Sequence, residues 1–190
     1  NSYSPDSFIT KINNNSGSFV RVDDTTIEIL ETIKYYSSKL DGEYDVTIMP
    51  LIKLWGFYKD KQNVIPSEDE IEVVKKLVNY KNIEINKEAK EVKIAKDQEI
   101  ITGSFVKSFA VEKLADKMKE MGIPRAIINA GGSTLRAVND DIQSTWGVIV
   151  ENPNDSENDL FDIEICNETF STSAQTNTYV EINGKKYTKK

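Results

Sequence analysis

The stretch ITGSFVKSFAVEKLADKMKEMGIPRAIINAGG, residues 101–132, constrains the fold more than any other part of the chain. A glycine-bearing loop, an amphipathic run and an apolar run follow one another, which reads as strand, loop, helix and strand. Val106, Ala110, Leu114, Met118 and Met121 recur at helical spacing and predict a helix from about Ser104 to Met121, with that face inward. Glu112, Lys113, Asp116, Lys117 and Glu120 fall on the side expected to meet water. Gly122 ends the helix and Pro124 follows it, a common stop sequence. RAIINAGG then reads as a buried strand closing on two glycines.

Helices and strands also alternate elsewhere, but not in a strict βαβ repeat. Residues 1–22 read as irregular and polar, with NNNSGS as a loop signal. Asp24 is placed to cap a helix over Thr25–Lys39, in which Ile27, Leu30, Ile33 and Tyr36 keep helical spacing. GEYDVTIMPLIKLWGF is apolar and aromatic, broken by Pro50 and closed by Trp55-Gly56-Phe57. Ser67 and Glu70 stand at capping-box spacing and open a helix expected to reach about Asn79. NIEINKEAKEVKIA predicts two short strands around a polar turn, TWGVIVENP and FDIEICN two more, and TYVEINGKKYT a hairpin turning at Asn183-Gly184. ENPNDSEND reads as a polar surface loop. The expected architecture is one α+β domain over residues 1–190, a mixed sheet with packed helices.

Composition narrows the chemistry. A chain of 190 residues can bury a core without disulfides or metal staples. Lys and Arg total 24 against 31 Asp and Glu, a formal net charge of −7, which disfavours nucleic acid as a partner. No histidine is present, so neither a Ser-His-Asp triad nor a histidine-based zinc site can be built from this chain. Any metal would be held by oxygen, as magnesium or calcium are. Cys166 is the lone cysteine, and strand alternation makes it a buried structural thiol. No apolar run approaches the roughly 20 residues of a membrane span.

Four stretches are candidates for a site. Gly103-Ser104 precedes a helix whose first-turn amides can meet an anion, Lys107 adds a positive charge, and Gly131-Gly132 permits close approach of a ligand or of backbone. The same residues also suit a plain turn and a solvated lysine. Gly42-Glu43-Tyr44-Asp45 suits a helix end and strand start, or a tyrosine/carboxylate pair for a planar ring and its polar substituents. Tyr3, in NSYSPDS, is either part of a flexible start or an aromatic over a flat ligand. Ser171-Thr172-Ser173-Ala174-Gln175-Thr176 is hydroxyl-rich, suited to loop hydrogen bonds or to a hard cation or phosphate.

Taken in order, these stretches resemble the FAD:protein FMN transferase (ApbE) family. SYSPDSFITKIN, GEYDVTIMPLIKLWGF, ITGSFVKSFAVE, NAGGS, WGVIVENP and STSAQTNTYVEINGKKYTK carry the resemblance, which covers residues 2–188. It implies an ApbE-like, T-fold-related domain, here expected to lack the family's first strand and its C-terminal metal-ligand segment. It implies FAD as substrate with Mg2+, FMN passing to a Ser/Thr of a flavin-accepting redox protein; the alternative is a non-catalytic flavin-binding or protein-interaction relative. Carried over residue by residue, Tyr3, Glu43, Tyr44, Asp45 and Lys107 would meet FAD, and Asn129, Ala130, Gly131 and Gly132 would wall the pocket. Ser104 matches a position whose backbone carbonyl ligates magnesium, whereas the family's flavin-site Asp is replaced by Ile101. Family members are commonly lipoproteins on the outer face of the bacterial cytoplasmic membrane.

Overall fold

The computed structural model describes residues 4–57, 64–140, 142, 144–155, 157–173 and 179–188. The chain divides into two compact units, Asn1–Ser104 with Thr178–Lys190, and Phe105–Asn177. The α+β class is borne out: helices are interleaved with small antiparallel sheets, and the one parallel pairing among the described residues is the bridge Ile48–Glu99.

In the first unit, α1 (Phe8–Asn14) starts where Ser7 accepts from the Thr10 amide. The sequence expectation of an irregular start misses this helix. It is short, and its anchor is remote in sequence: the Asn13 side chain exchanges two hydrogen bonds with the backbone of Ile100, at 2.9 and 2.8 Å. β1 (Val20–Arg21) leads to α2 (Asp24–Lys39), capped by Asp23 rather than Asp24, because the Asp23 carboxylate receives the Thr26 amide at 2.8 Å. Leu30 and Ile33 of α2 are buried as their spacing predicts.

Pro50 does not break the next segment. It occupies the first turn of α3 (Met49–Leu54), where proline costs no intrahelical hydrogen bond. α4 (Glu68–Lys75) opens on the expected capping box, Ser67 and Glu70 each accepting the other's amide, but stops four residues short of the expected end. After a 3-10 turn at Tyr80–Asn82, β2 (Glu84–Asn86) and β3 (Glu91–Lys93) pair antiparallel, with β1 on the other edge of β3.

The second unit begins with α5 (Val106–Glu120), β4 (Ala126–Asn129) and β5 (Thr134–Val138). β6 (Trp146–Glu151) pairs with β7 (Asp159–Ile165), and β8 (Thr169–Ser171) completes the order β4-β5-β8. Its core is Ala137, Val148 and Ile165, with Trp146 and Phe170 packed against it. Three expectations are corrected here. The inward face of α5 carries Val111 and Ala115, while Ala110 and Leu114 are exposed, so the face is rotated from the one predicted. β4 is an edge strand and only half-buried. Cys166 is exposed, since β7 ends at Ile165 and Asn167 turns the chain with φ 51°.

The last hairpin, β9 (Tyr179–Ile182) and β10 (Lys185–Thr188), returns to the first unit. Its turn residues Asn183 and Gly184 both have positive φ, 51° and 74°, the geometry that makes Asn-Gly a hairpin signal.

Candidate functional site

The first unit holds Glu43, Tyr44, Asp45 and Ser104. Asp45 is half-buried and spends both carboxylate oxygens on the fold. Oδ1 accepts from the Thr47 amide at 2.8 Å and the Thr47 hydroxyl at 2.6 Å, and Oδ2 accepts from the Tyr80 amide at 2.7 Å. Thr47 Oγ1 in turn accepts from the Asn79 amide at 2.9 Å, and buried Gln98 donates to the carbonyls of Leu77 and Asn79 at 2.8 and 2.9 Å. A charged acceptor with three donors is the strongest kind of local tie. Asp45 therefore fixes the backbone that carries its neighbour Tyr44.

Tyr44 is half-buried, with its hydroxyl 3.1 Å from Ser104 Oγ. Glu43 is exposed, and its amide donates to the Leu40 carbonyl at 2.9 Å. Ser104 is thus a side-chain partner of Tyr44 rather than a helix cap. Burial pushes the Tyr44 phenol above its usual value, against a smaller opposing pull from the Ser104 hydrogen bond. A raised tyrosine pKa contributes stability that is present below the unfolded value of about 10 and lost as pH rises through the higher folded one. A phenolate difference titration between the wild type and Tyr44→Phe is expected to lose a tyrosine that ionises above the ordinary range. Loss of one that ionises at the ordinary value would contradict this placement.

A cavity of about 420 Å3 also lies in the first unit, lined by Ile48, Leu51, Trp55, Phe57 and Tyr187 among others. The Trp55 and Tyr187 rings are 5.6 Å apart and tilted by 37°. The aromatic content of PLIKLWGF signals an apolar surface, but its meeting with the β10 tyrosine joins residues remote in sequence.

The second unit holds Lys107, Asn129, Ala130, Gly131 and Gly132, and brings them together. The Asn129 side chain accepts from the Gly132 amide at 2.7 Å, and the Ala130 amide donates to the Thr134 carbonyl at 2.8 Å. Both glycines have left-handed φ, 71° and 74°, which strains any residue with a Cβ. A Cβ on Gly131 would lie 3.7 Å from Lys107 Nζ, ordinary van der Waals contact, so the turn stands beside the ammonium and its need for glycine comes from φ. That ammonium donates to Ser133 Oγ at 2.9 Å. Lys107 sits in the first turn of α5, whose cap residue Phe105 makes no side-chain hydrogen bond. Helix dipole, uncapped first-turn amides and a lysine together favour an anion at this end of α5.

Ser133 and Glu112 are functional candidates that sequence reasoning left out. Ser133 had one signal, its place directly after the two glycines. Of the hydroxyl-rich stretch, Ser171 Oγ lies 3.1 Å from Thr134 Oγ1 and the Thr172 amide donates to the Ser133 carbonyl at 2.9 Å. Tyr3, Ala174, Gln175 and Thr176 lie outside the described residues. Among the described residues no group of three or more Cys, Asp or Glu is placed to hold a metal ion, and no helix is long and apolar enough to cross a membrane. Ser104 alone does not fit magnesium, which needs about six oxygens.

Residues 1–189 match the model of the ApbE family. The chain is similar to the FAD:protein FMN transferase of Escherichia coli K12, 28% identical over 97% of this chain and 54% of that protein. It is also similar to the FAD:protein FMN transferase of Salmonella typhimurium, 29% identical over 87% of this chain and 49% of the relative. The chain thus spans about half the length of the curated relatives it matches. Its fold is that of an ApbE protein from Thermotoga maritima, with TM-score 0.86 at 24% identity over 96% of this chain and 59% of the other. The apo flavinyl transferase ApbE of Pseudomonas stutzeri gives 0.79 at 23% identity, covering 99% and 58%.

Proposed function

Because the chain belongs to the ApbE family, we propose that it binds FAD and serves the transfer of FMN from FAD to a serine or threonine of a redox protein. The observation that carries this reading is the Lys107 ammonium at the uncapped start of α5, seated beside the Gly131-Gly132 turn. A pyrophosphate is the part of FAD that such a group recognises, and one charged hydrogen bond to it stabilises the complex by roughly 1.5–3 kcal/mol. Asn129 and Ala130 hold that turn. Glu43, Tyr44 and Asp45 are proposed as FAD-binding residues from the resemblance. Tyr3 joins them on the resemblance alone.

In the proposed reaction the target hydroxyl oxygen bonds to the FMN-side phosphorus of FAD. The bridging P–O bond breaks, AMP leaves with its electron pair, and the hydroxyl proton passes to water. Lys107 lowers the cost of charge gathering on the pyrophosphate as that bond breaks. Magnesium and the Ser104 carbonyl come into the proposal from the resemblance alone, the described residues do not by themselves fit the ion, and no step above depends on it.

A second reading, flavin binding without transfer, is favoured by Ile101. That residue stands where the family pattern has a carboxylate, is 9% exposed, and donates its amide to the Val46 carbonyl at 2.8 Å. A location on the outer face of the bacterial cytoplasmic membrane, through a lipid anchor, is proposed from the resemblance together with the bacterial relatives.

The two readings separate in one assay. The protein, FAD, magnesium and an acceptor flavoprotein subunit are expected to yield AMP and an acceptor heavier by one FMN. FAD binding with no AMP released supports the second reading instead.

A further inference from the structure

We propose that Glu112 is the positioning residue that sets Lys107 over the double-glycine turn, an inference that rests on the anion-binding reading of α5. One carboxylate of the helix reaches two strands of its sheet. Glu112 Oε1 accepts from the Thr169 hydroxyl of β8, and lies 2.9 Å from Arg136 Nε of β5. Arg136 and Thr169 are register partners, so a single side chain of α5 ties two neighbouring strands.

The tie is costly to break. The Arg136 guanidinium is only 6% exposed, and one of its NH groups donates to the Ala137 carbonyl. Nε makes no hydrogen bond, so its 2.9 Å approach to Glu112 is an ion-pair contact. A buried cation stripped of a counter-charge is strongly destabilised.

The leverage on the site follows from helix geometry. Glu112 lies five residues after Lys107, at 1.5 Å rise per residue about 7.5 Å along the same rod. β5 is also the strand that leaves the 130–133 turn, and Lys107 bonds to Ser133 of that turn. The carboxylate therefore fixes both the rotation of α5 and its distance from the strand carrying the turn. Val111 and Ala115, the buried residues on either side of Glu112, seat the helix by apolar contact, which is less directional than a charged tie. Glu112 supplies that tie.

The test is Glu112→Gln, which keeps shape and one acceptor while removing the charge. Two readouts are taken on the full chain. The first is the rate at which Lys107 is acetylated by an amine-reactive ester, mapped by mass spectrometry with Lys117 and Lys119 as references on the same helix. Freed from Ser133, Lys107 is expected to react several-fold faster while the references keep their rates. An unchanged Lys107 rate overturns the proposal whether or not FAD binds. The second is FAD affinity, expected to weaken roughly tenfold, about one charged hydrogen bond's worth. In a Lys107→Ala background Glu112→Gln should add nothing to the FAD defect; an equal further loss there overturns the proposal, since Glu112 then does not act through Lys107. Should Glu112→Gln fail to fold, Thr169→Val removes one of the two ties and is expected to raise Lys107 reactivity in the same sense; no rise overturns the proposal. A wild type that binds no FAD but shows the acetylation effect defeats the functional reading and leaves the positioning role standing.

Discussion

Replacing Asp45 by alanine is expected to lower the free energy of unfolding by roughly 3 kcal/mol, read from the urea midpoint. The size follows from what the carboxylate holds. Removing it leaves the amides of Thr47 and Tyr80 and the Thr47 hydroxyl without their acceptor at once. Thr47 is fully buried, so water does not easily replace the lost partner. Asp45→Asn keeps one oxygen and is expected to retain about half of the effect. Flavin binding should fall with both variants, because the segment that orients Tyr44 loosens. A loss of FAD binding with an unchanged urea midpoint would show instead that Asp45 contacts the ligand directly.

Lys107→Ala is expected to have the largest effect on binding. Loss of one charge-assisted contact to a pyrophosphate corresponds to a roughly tenfold to hundredfold weaker FAD complex. Stability should hardly change, since the lysine is exposed and its bond is to the Ser133 hydroxyl in a surface turn. The wild-type affinity should also fall with added salt, and the variant's should fall less. A variant with wild-type affinity and the same salt dependence would remove Lys107 from the site.

Local signals were legible in the chain, and non-local ones were not. The Ser67–Glu70 box, the β2–β3 pair and the Asn183-Gly184 turn each depend on residues within a few positions of one another, and each forms as expected. The α5 face was misread because Glu112 counts as a surface residue until Arg136, 24 positions on, supplies its counter-charge. Cys166 was placed inside by extending an alternation one residue past the end of its strand. For the site, sequence grouped Lys107 with Gly131-Gly132 in one stretch, and the structure joins them through the bond from Lys107 to Ser133, a residue the sequence reading left out. It also pointed to Asp45, whose carboxylate takes three donors from Thr47 and Tyr80, partners that the motif did not disclose. A motif specifies which side chains are present; the partners that consume them come from the fold.

In the proposed function, this chain recognises FAD through its pyrophosphate at the start of α5. The most direct test is a set of titrations, followed by flavin fluorescence, with FAD, FMN and riboflavin on the same preparation. Binding is expected to weaken as phosphates are removed, with riboflavin the weakest and Lys107→Ala abolishing most of the difference. Equal affinity for all three flavins, unaffected by Lys107→Ala, would contradict it.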